Sequence, residues 1–290
     1  MPVSSLFVGL NSSPRALLCA LPYSLSRLSG VASTHSGYRS HQAITALLAT
    51  TRTANVTVSI LSTAQNHLIE MLPRKARLRV LAICEPVELV MAQVLSEVGM
   101  PTRHVYFPTE GFISLVTPIR GEPVLEVGMV GREGMLGTQL ALGVRAAPLH
   151  ALVQGPGAAW RIGAVAFRRE LAHSSALQRG LNRYVYVMMM QLASAASCLR
   201  FHQIGPRLAR WLLMTQDRAH SDSFRITHEF LAYMLGVRRV GITAAASVLQ
   251  HGELIKYHRG EIQVLNRRGL EAVACSCYAA DRAAYAKMLH

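Results

Sequence analysis

HEFLAYMLGVRRVGITAAASVLQ, His228–Gln250, holds two apolar helical patterns split by one glycine, with two arginines just past the break. Thr227 is a suitable N-cap, because its hydroxyl can accept a bond from a free amide of the first turn. Glu229 follows at the positive end of the helix dipole. Leu231, Ala232 and Leu235 form an inward face, and Gly236 takes the sharp turn that a side chain would resist. Val237 closes the turn, and Val240, Ile242, Ala245, Val248 and Leu249 carry the apolar pattern of the second helix. Small Ala232 lets the helices approach, and Ile242 plugs the gap between them. This is the spacing of a helix-turn-helix, whose second helix enters the major groove and reads with its first residues. Arg238 and Arg239 stand at that first turn, where a guanidinium can bond a guanine edge or clamp a phosphate.

The next stretch, HGELIKYHRGEIQVLNRRG (His251–Gly269), predicts a strand, a turn at His258-Arg259-Gly260 and an alternating strand through Ile262 and Val264. Such a hairpin is a wing beside the reading helix. Lys256, His258 and Arg259 at its tip can meet a nucleic-acid backbone or simply be solvated.

Working outward, the chain of 290 residues has room for two ordinary domains. Its net charge of +14 favours a polyanionic partner, nucleic acid before an anionic membrane surface. Residues 1–60 lack acidic residues and show no sustained period; they read as a disordered extension, although their composition also suits a transit peptide. Two helical turns around Pro73 come next. From His104, HVYFPTEGFISL opens a series of short β-rich runs punctuated by glycine and proline, and LHALVQGPGAAWRI adds two strands around Gly155-Pro156-Gly157. Strands at this spacing predict a small barrel or sandwich.

At Ala164 the period changes to that of a short helix followed by a long one. In the long helix Leu177, Leu181, Tyr184, Val185, Met188, Leu192, Ala195 and Leu199 recur at three- and four-residue steps. Two readings of that stripe stand: a dimer seam, or packing on the chain's own barrel. Gly205-Pro206 marks the joint to the last domain.

Five scattered cysteines suit a reducing cytoplasm better than a disulfide framework. Cys275-Ser276-Cys277 is too closely spaced for the usual zinc pairs and has no companion pair nearby in sequence, so the two read as small buried residues and no metal site is expected. No run of apolar residues is long enough to span a membrane. No nucleophile elbow, zinc-protease helix, Walker loop or dinucleotide fingerprint is present, and the expectation is that the chain is not an enzyme.

RLARWLLMTQDR, THEFLAYMLGVRRVGITAAASVLQ, GELIKYHRGEIQVLNRRGLE and the terminal ACSCY carry a family likeness. From about Asn66 to its end the chain resembles the Crp/Fnr family of bacterial transcription regulators. The resemblance implies an α+β architecture. A jelly-roll-like, cyclic-nucleotide-binding-like β-roll over 66–165 precedes a short helix and a long dimerisation helix over 166–204, and a winged helix-turn-helix fills 205–290. It also implies a homodimer on palindromic double-stranded DNA, with RNA polymerase as a further partner.

Position by position, Arg239 falls where the family places a guanine-reading arginine. Val240 and Ala244 stand where it often has a glutamate and a second arginine, so the usual operator is not implied. Arg238 reads a base or holds a phosphate, and Thr227 and Thr243 match positions that touch the DNA backbone. In the sensor half Arg145 matches the cyclic-phosphate arginine, but GMLGTQ puts Thr138 where a carboxylate belongs. No cofactor is expected, and the effector is unassigned. The competing function is a small-molecule-binding module whose helical C-terminal domain contacts proteins.

Overall fold

The computed structural model describes residues 65–119 and 122–289. The expected extension over 1–60 lies outside the described residues. Two short helices open the chain, α1 (His67–Glu70) and α2 (Arg74–Leu81). Fully buried Asn66 caps α1 with its side-chain oxygen, while its amide donates to the carbonyls of Pro108 and Gly134, each at 2.9 Å. One side chain thus ties the first turn to the strands behind it.

Seven strands form the roll: β1 (Glu85–Leu89), β2 (Val94–Ser96), β3 (His104–Pro108), β4 (Phe112–Ile119), β5 (Glu122–Val130), β6 (His150–Gly155) and β7 (Gly157–Gly163). They make two antiparallel sheets, in the orders β1-β7-β3 and β2-β6-β4-β5. Leu89, Tyr106, Ile113, Leu115, Val130, Ala151, Val153 and Ala159 fill the space between them. A single 3₁₀ turn, Thr138–Leu142, lies between β5 and β6.

The short helix α3 (Ala164–His173) is followed by α4 (Ser175–Phe201). Ser174 starts α4 by accepting from the Leu177 amide at 3.3 Å. At 27 residues the helix is about 40 Å long. The chain breaks at His202, and α5 (Ile204–Ala219) begins at once. Gly205 and Pro206 therefore do not form the joint. They occupy the first turn of α5, where the missing proline amide has no helical partner to lose.

The last domain adds β8 (Ser223–Arg225), α6 (His228–Leu235), α7 (Arg239–His251), β9 (Ile255–His258), β10 (Glu261–Val264), α8 (Arg267–Val273) and α9 (Cys277–Met288). The wing is a three-stranded sheet ordered β8-β10-β9, one strand more than the sequence suggested. Its tip is a two-residue turn with Arg259 and Gly260 both at positive φ, 49° and 81°, which matches the twist of the flanking strands.

The long-helix stripe resolves into two faces. Leu177, Leu181 and Tyr184 are buried in their own chain's core with Phe107, Met135, Ile162 and Phe167, and half-buried Met188 packs against the same core. Gly134 makes room for Tyr184, since a Cβ there would run into the tyrosine hydroxyl. As a dimer seam those residues are corrected. Leu192 is exposed and Ala195 half-buried, and the open apolar face runs through Tyr186, Met189 and Met190.

Candidate nucleic-acid interface

Thr227 caps α6 as the sequence predicts: its hydroxyl accepts from the Phe230 amide at 3.1 Å. Gly236 ends the helix in the left-handed region, φ 60° and ψ 46°, and the Val237 amide returns to the Ala232 carbonyl at 2.9 Å. Ala232, Leu235, Ile242, Ala245, Ala246 and Leu249 close the seam between α6 and α7, with Ile242 fully buried. That burial fixes which face of α7 looks outward.

Arg238 is the N-cap of α7 and Arg239 its first residue, and both are exposed. Val240, Thr243 and Ala244 are exposed beside them. Val240 and Val248, both counted in the apolar pattern of the helix, lie on its outer face, 77% and 71% exposed. Thr227, Lys256, His258 and Arg259 are exposed as well. Among the described residues neither these two helix arginines nor Lys256 nor Arg259 forms an ion pair. Four cations thus stand without internal partners on the reading helix and the wing.

Sequence reasoning missed His228, which knits this surface together. Its ring stacks on Tyr257 of the wing, centroids 4.1 Å apart, and its Nδ1 lies 3.1 Å from the Thr243 hydroxyl. Thr243 donates to the Arg239 carbonyl at 3.1 Å, so the hydroxyl accepts from Nδ1–H of the histidine. Burial, and secondarily the Arg239 charge, hold the imidazole below its ordinary range and keep it neutral. One residue at the start of α6 thereby sets the distance between reading helix and wing. Only its position after the N-cap hinted at this.

The sensor residues fare differently. Thr138 begins the 3₁₀ turn half-buried, and Arg145 is exposed, its carbonyl accepting from the Thr102 amide at 2.8 Å. Neither lines the cleft between β5, α4, α5 and α6, which is bounded by Glu126, Cys198, Arg207, Arg210, Trp211 and Leu235. Nor do they line the open cleft around His67, Arg132 and His220.

Cys275 and Cys277, which have no companion pair nearby in sequence, gain neighbours in the fold. Cys275 and Cys277 are buried, and the fold brings Cys198 and His202 to them from the far side of the chain.

Residues 206–273 match the Crp-like helix-turn-helix domain. The chain carries a Crp-like helix-turn-helix domain. Around that Crp-like domain the fold agrees with solved regulators. A putative transcriptional regulator of the crp/fnr family from Eubacterium rectale superposes with a TM-score of 0.57 at 16% identity, covering 70% of this chain and 94% of that one. FixK2 from Bradyrhizobium japonicum gives 0.57 at 13% identity, covering 67% and 98%. A CRP-family transcriptional regulator from Thermus thermophilus gives 0.54 at 18% identity, covering 65% and 96%. No curated protein shows significant sequence similarity to the chain. The Crp-like domain and the Crp/Fnr fold around it mark a DNA-binding transcription regulator.

Proposed function

We propose that the protein binds operator DNA as a homodimer, with the amino-terminal turn of α7 in the major groove and the wing on the flanking backbone. The observation that carries this is the pair Arg238 and Arg239, exposed and free of ion pairs, on a helix whose opposite face is sealed by Ile242, Ala245 and Leu249. Arg239 reads a guanine and Arg238 a base or a phosphate. Val240 and Ala244 offer methyl groups rather than charges, which suits the C5-methyl of thymine. Thr227, Thr243, Lys256, His258 and Arg259 serve the phosphate backbone.

The dimer reading rests on α4. Met189 and Met190 lie three and four residues after Tyr186, on its side of the helix, and the three are 63%, 42% and 50% exposed. Leu192 flanks them. A second copy covering this face would place two reading helices on half-sites about one DNA turn apart. The regulator would work where the chromosome lies, in the cytoplasm, and no described helix is long and apolar enough to cross a membrane. RNA polymerase is the partner such a dimer would touch. Thr138 and Arg145, on the 3₁₀ turn and in the loop after it, are the pair a small-molecule effector would meet.

Selection of random duplexes by the purified full chain at fixed salt tests the whole reading. Enrichment of a palindrome, with one guanine per half-site lost on Arg239→Ala, is expected. No enriched sequence would favour the competing reading, in which the C-terminal domain contacts proteins.

A further inference from the structure

The end of α4 and the start of α9 meet at the joint between the long helix and the winged domain. Cys198 lies in the last turn of α4 and His202 is its C-cap, four residues on and therefore on the same side. Cys275 lies in the short link after α8, and Cys277 is the first residue of α9. Three sulfurs and one imidazole nitrogen from these two distant stretches all fall within 4.8 Å of one another. Cys198 Sγ is 3.5 Å from Cys275 Sγ, and Cys277 Sγ is 3.6 Å from His202 Nδ1. Cys198, Cys275 and Cys277 are buried, and His202 is half-buried.

We propose that Cys198, His202, Cys275 and Cys277 bind one zinc ion per chain in a tetrahedral site. Bonds of about 2.3 Å to sulfur and 2.0 Å to nitrogen, arranged tetrahedrally, put neighbouring ligand atoms roughly 3.5–3.8 Å apart. The two measured separations have that size before any ion is placed. The same compactness argues against an iron–sulfur cluster, whose cysteines bind different irons and stand further from one another. Three sulfurs and a nitrogen with no carboxylate are the donor set of a structural zinc site rather than of magnesium or calcium.

The surroundings suit the charge. Zinc with three thiolates and a neutral imidazole carries one net negative charge. Arg207 and Arg210 line the same cleft as Cys198. Arg210 is paired with Asp281 at 2.7 Å, and Arg207 donates to the Leu235 carbonyl at the end of α6. A zinc ion here would lock α9 to α4 across the joint, and Arg207 lies between that lock and the helix-turn-helix. The site would be structural, with all four positions filled by protein and none left for a substrate.

The test is metal analysis of the full chain, produced without a histidine tag in zinc-supplied bacteria and purified under reducing conditions. About one zinc per chain is expected, and cobalt exchanged into the protein should show the thiolate charge-transfer and intense visible bands of a tetrahedral sulfur-rich site. Cys198→Ser and Cys277→Ser should lose most of the metal, while a Cys19→Ser, Cys84→Ser double variant keeps it. Where a serine variant fails to fold, Cys277→His, which preserves a ligand, should retain near-parental zinc. Four results would each overturn the proposal. They are protein without stoichiometric zinc and no cobalt spectrum, iron with acid-labile sulfide, a disulfide among the three cysteines in freshly reduced protein, and full zinc content in both serine variants.

Discussion

Leu125 of β5 stands against Gly236 in the turn between α6 and α7: a Cβ at Gly236 would come 2.7 Å from Leu125 Cδ1. The turn that shapes the reading surface is therefore seated on a strand of the roll. Gly236→Ala meets two obstacles, a positive φ of 60° and this contact. The backbone part alone costs about 1–2 kcal/mol. Thermal melts should show that loss in the single variant, and adding Leu125→Ala should relieve only the steric share. Full recovery in the double variant would mean the backbone conformation is not under strain.

Base reading and backbone holding separate experimentally. Arg239→Ala should cost roughly 1–3 kcal/mol on the preferred operator and relax discrimination at one base pair per half-site. Lys256→Ala and Arg259→Ala should weaken all duplexes alike and reduce the salt slope by about one each. Titrations of specific and random DNA at several salt concentrations distinguish the two patterns. An unchanged slope in both wing variants would remove the wing from the interface.

The surroundings of Glu126 set the sign of an expected pH dependence. Its Oε1 accepts from the Trp211 indole at 2.8 Å, linking β5 to α5, but Oε2 is enclosed with no partner, although the residue as a whole is only half-buried. Burial pushes the carboxyl up to about 7, against the pull of the nearby Ser114 hydroxyl, the Trp211 bond and the Arg218 and Arg210 charges. The folded state therefore holds a proton that the unfolded chain has already released. The stability this lends is full below the ordinary value near 4.5 and is lost as pH rises to about 7. The loss is on the order of 3 kcal/mol. Glu126→Gln, which keeps the acceptor for Trp211, should flatten denaturant melts between those limits and stabilise the protein above pH 7. An unchanged slope would place the carboxyl in water.

The two faces of α4 should respond oppositely. Met189→Glu places a charge on the open apolar face and should shift sedimentation toward monomer with little change in melting of the monomer. Tyr184→Ala empties a fully buried site and should cost about 3–5 kcal/mol, as large aromatic truncations do, whatever the association state. Monomer behaviour in neither variant would move the dimer contact elsewhere.

What was legible in the sequence was local. Thr227, Gly236 and the Arg259–Gly260 hairpin each announce themselves through a cap, a left-handed turn or a tight loop, and the structure has all three. The two-sidedness of α4 was not legible, because Tyr184 and Met189 both read as apolar, and which is enclosed depends on partners distant in sequence, Gly134 and Phe107 among them. Val248 misled for a related reason: an apolar side chain on the outer face of a helix looks like core until the seam is seen. Cys198 and His202 lie more than seventy residues from Cys275, so no spacing rule joins them. The terminal helix α9 lacks a strong one-sided pattern, since it is alanine-rich and its buried positions include Asp281 and Ala284 beside Tyr278.

The apolar interior of the winged domain includes Phe112 and Met129, which belong to strands β4 and β5. Leu289, just past α9, is buried in return among Leu68 of α1, Phe167 of α3 and Leu177 of α4, in the cluster that also holds Phe107 and Ile162 of the roll. Each half thus completes the other's interior. Cutting the molecule between them would leave greasy wounds on both pieces, and the intact chain should melt in a single calorimetric step rather than two.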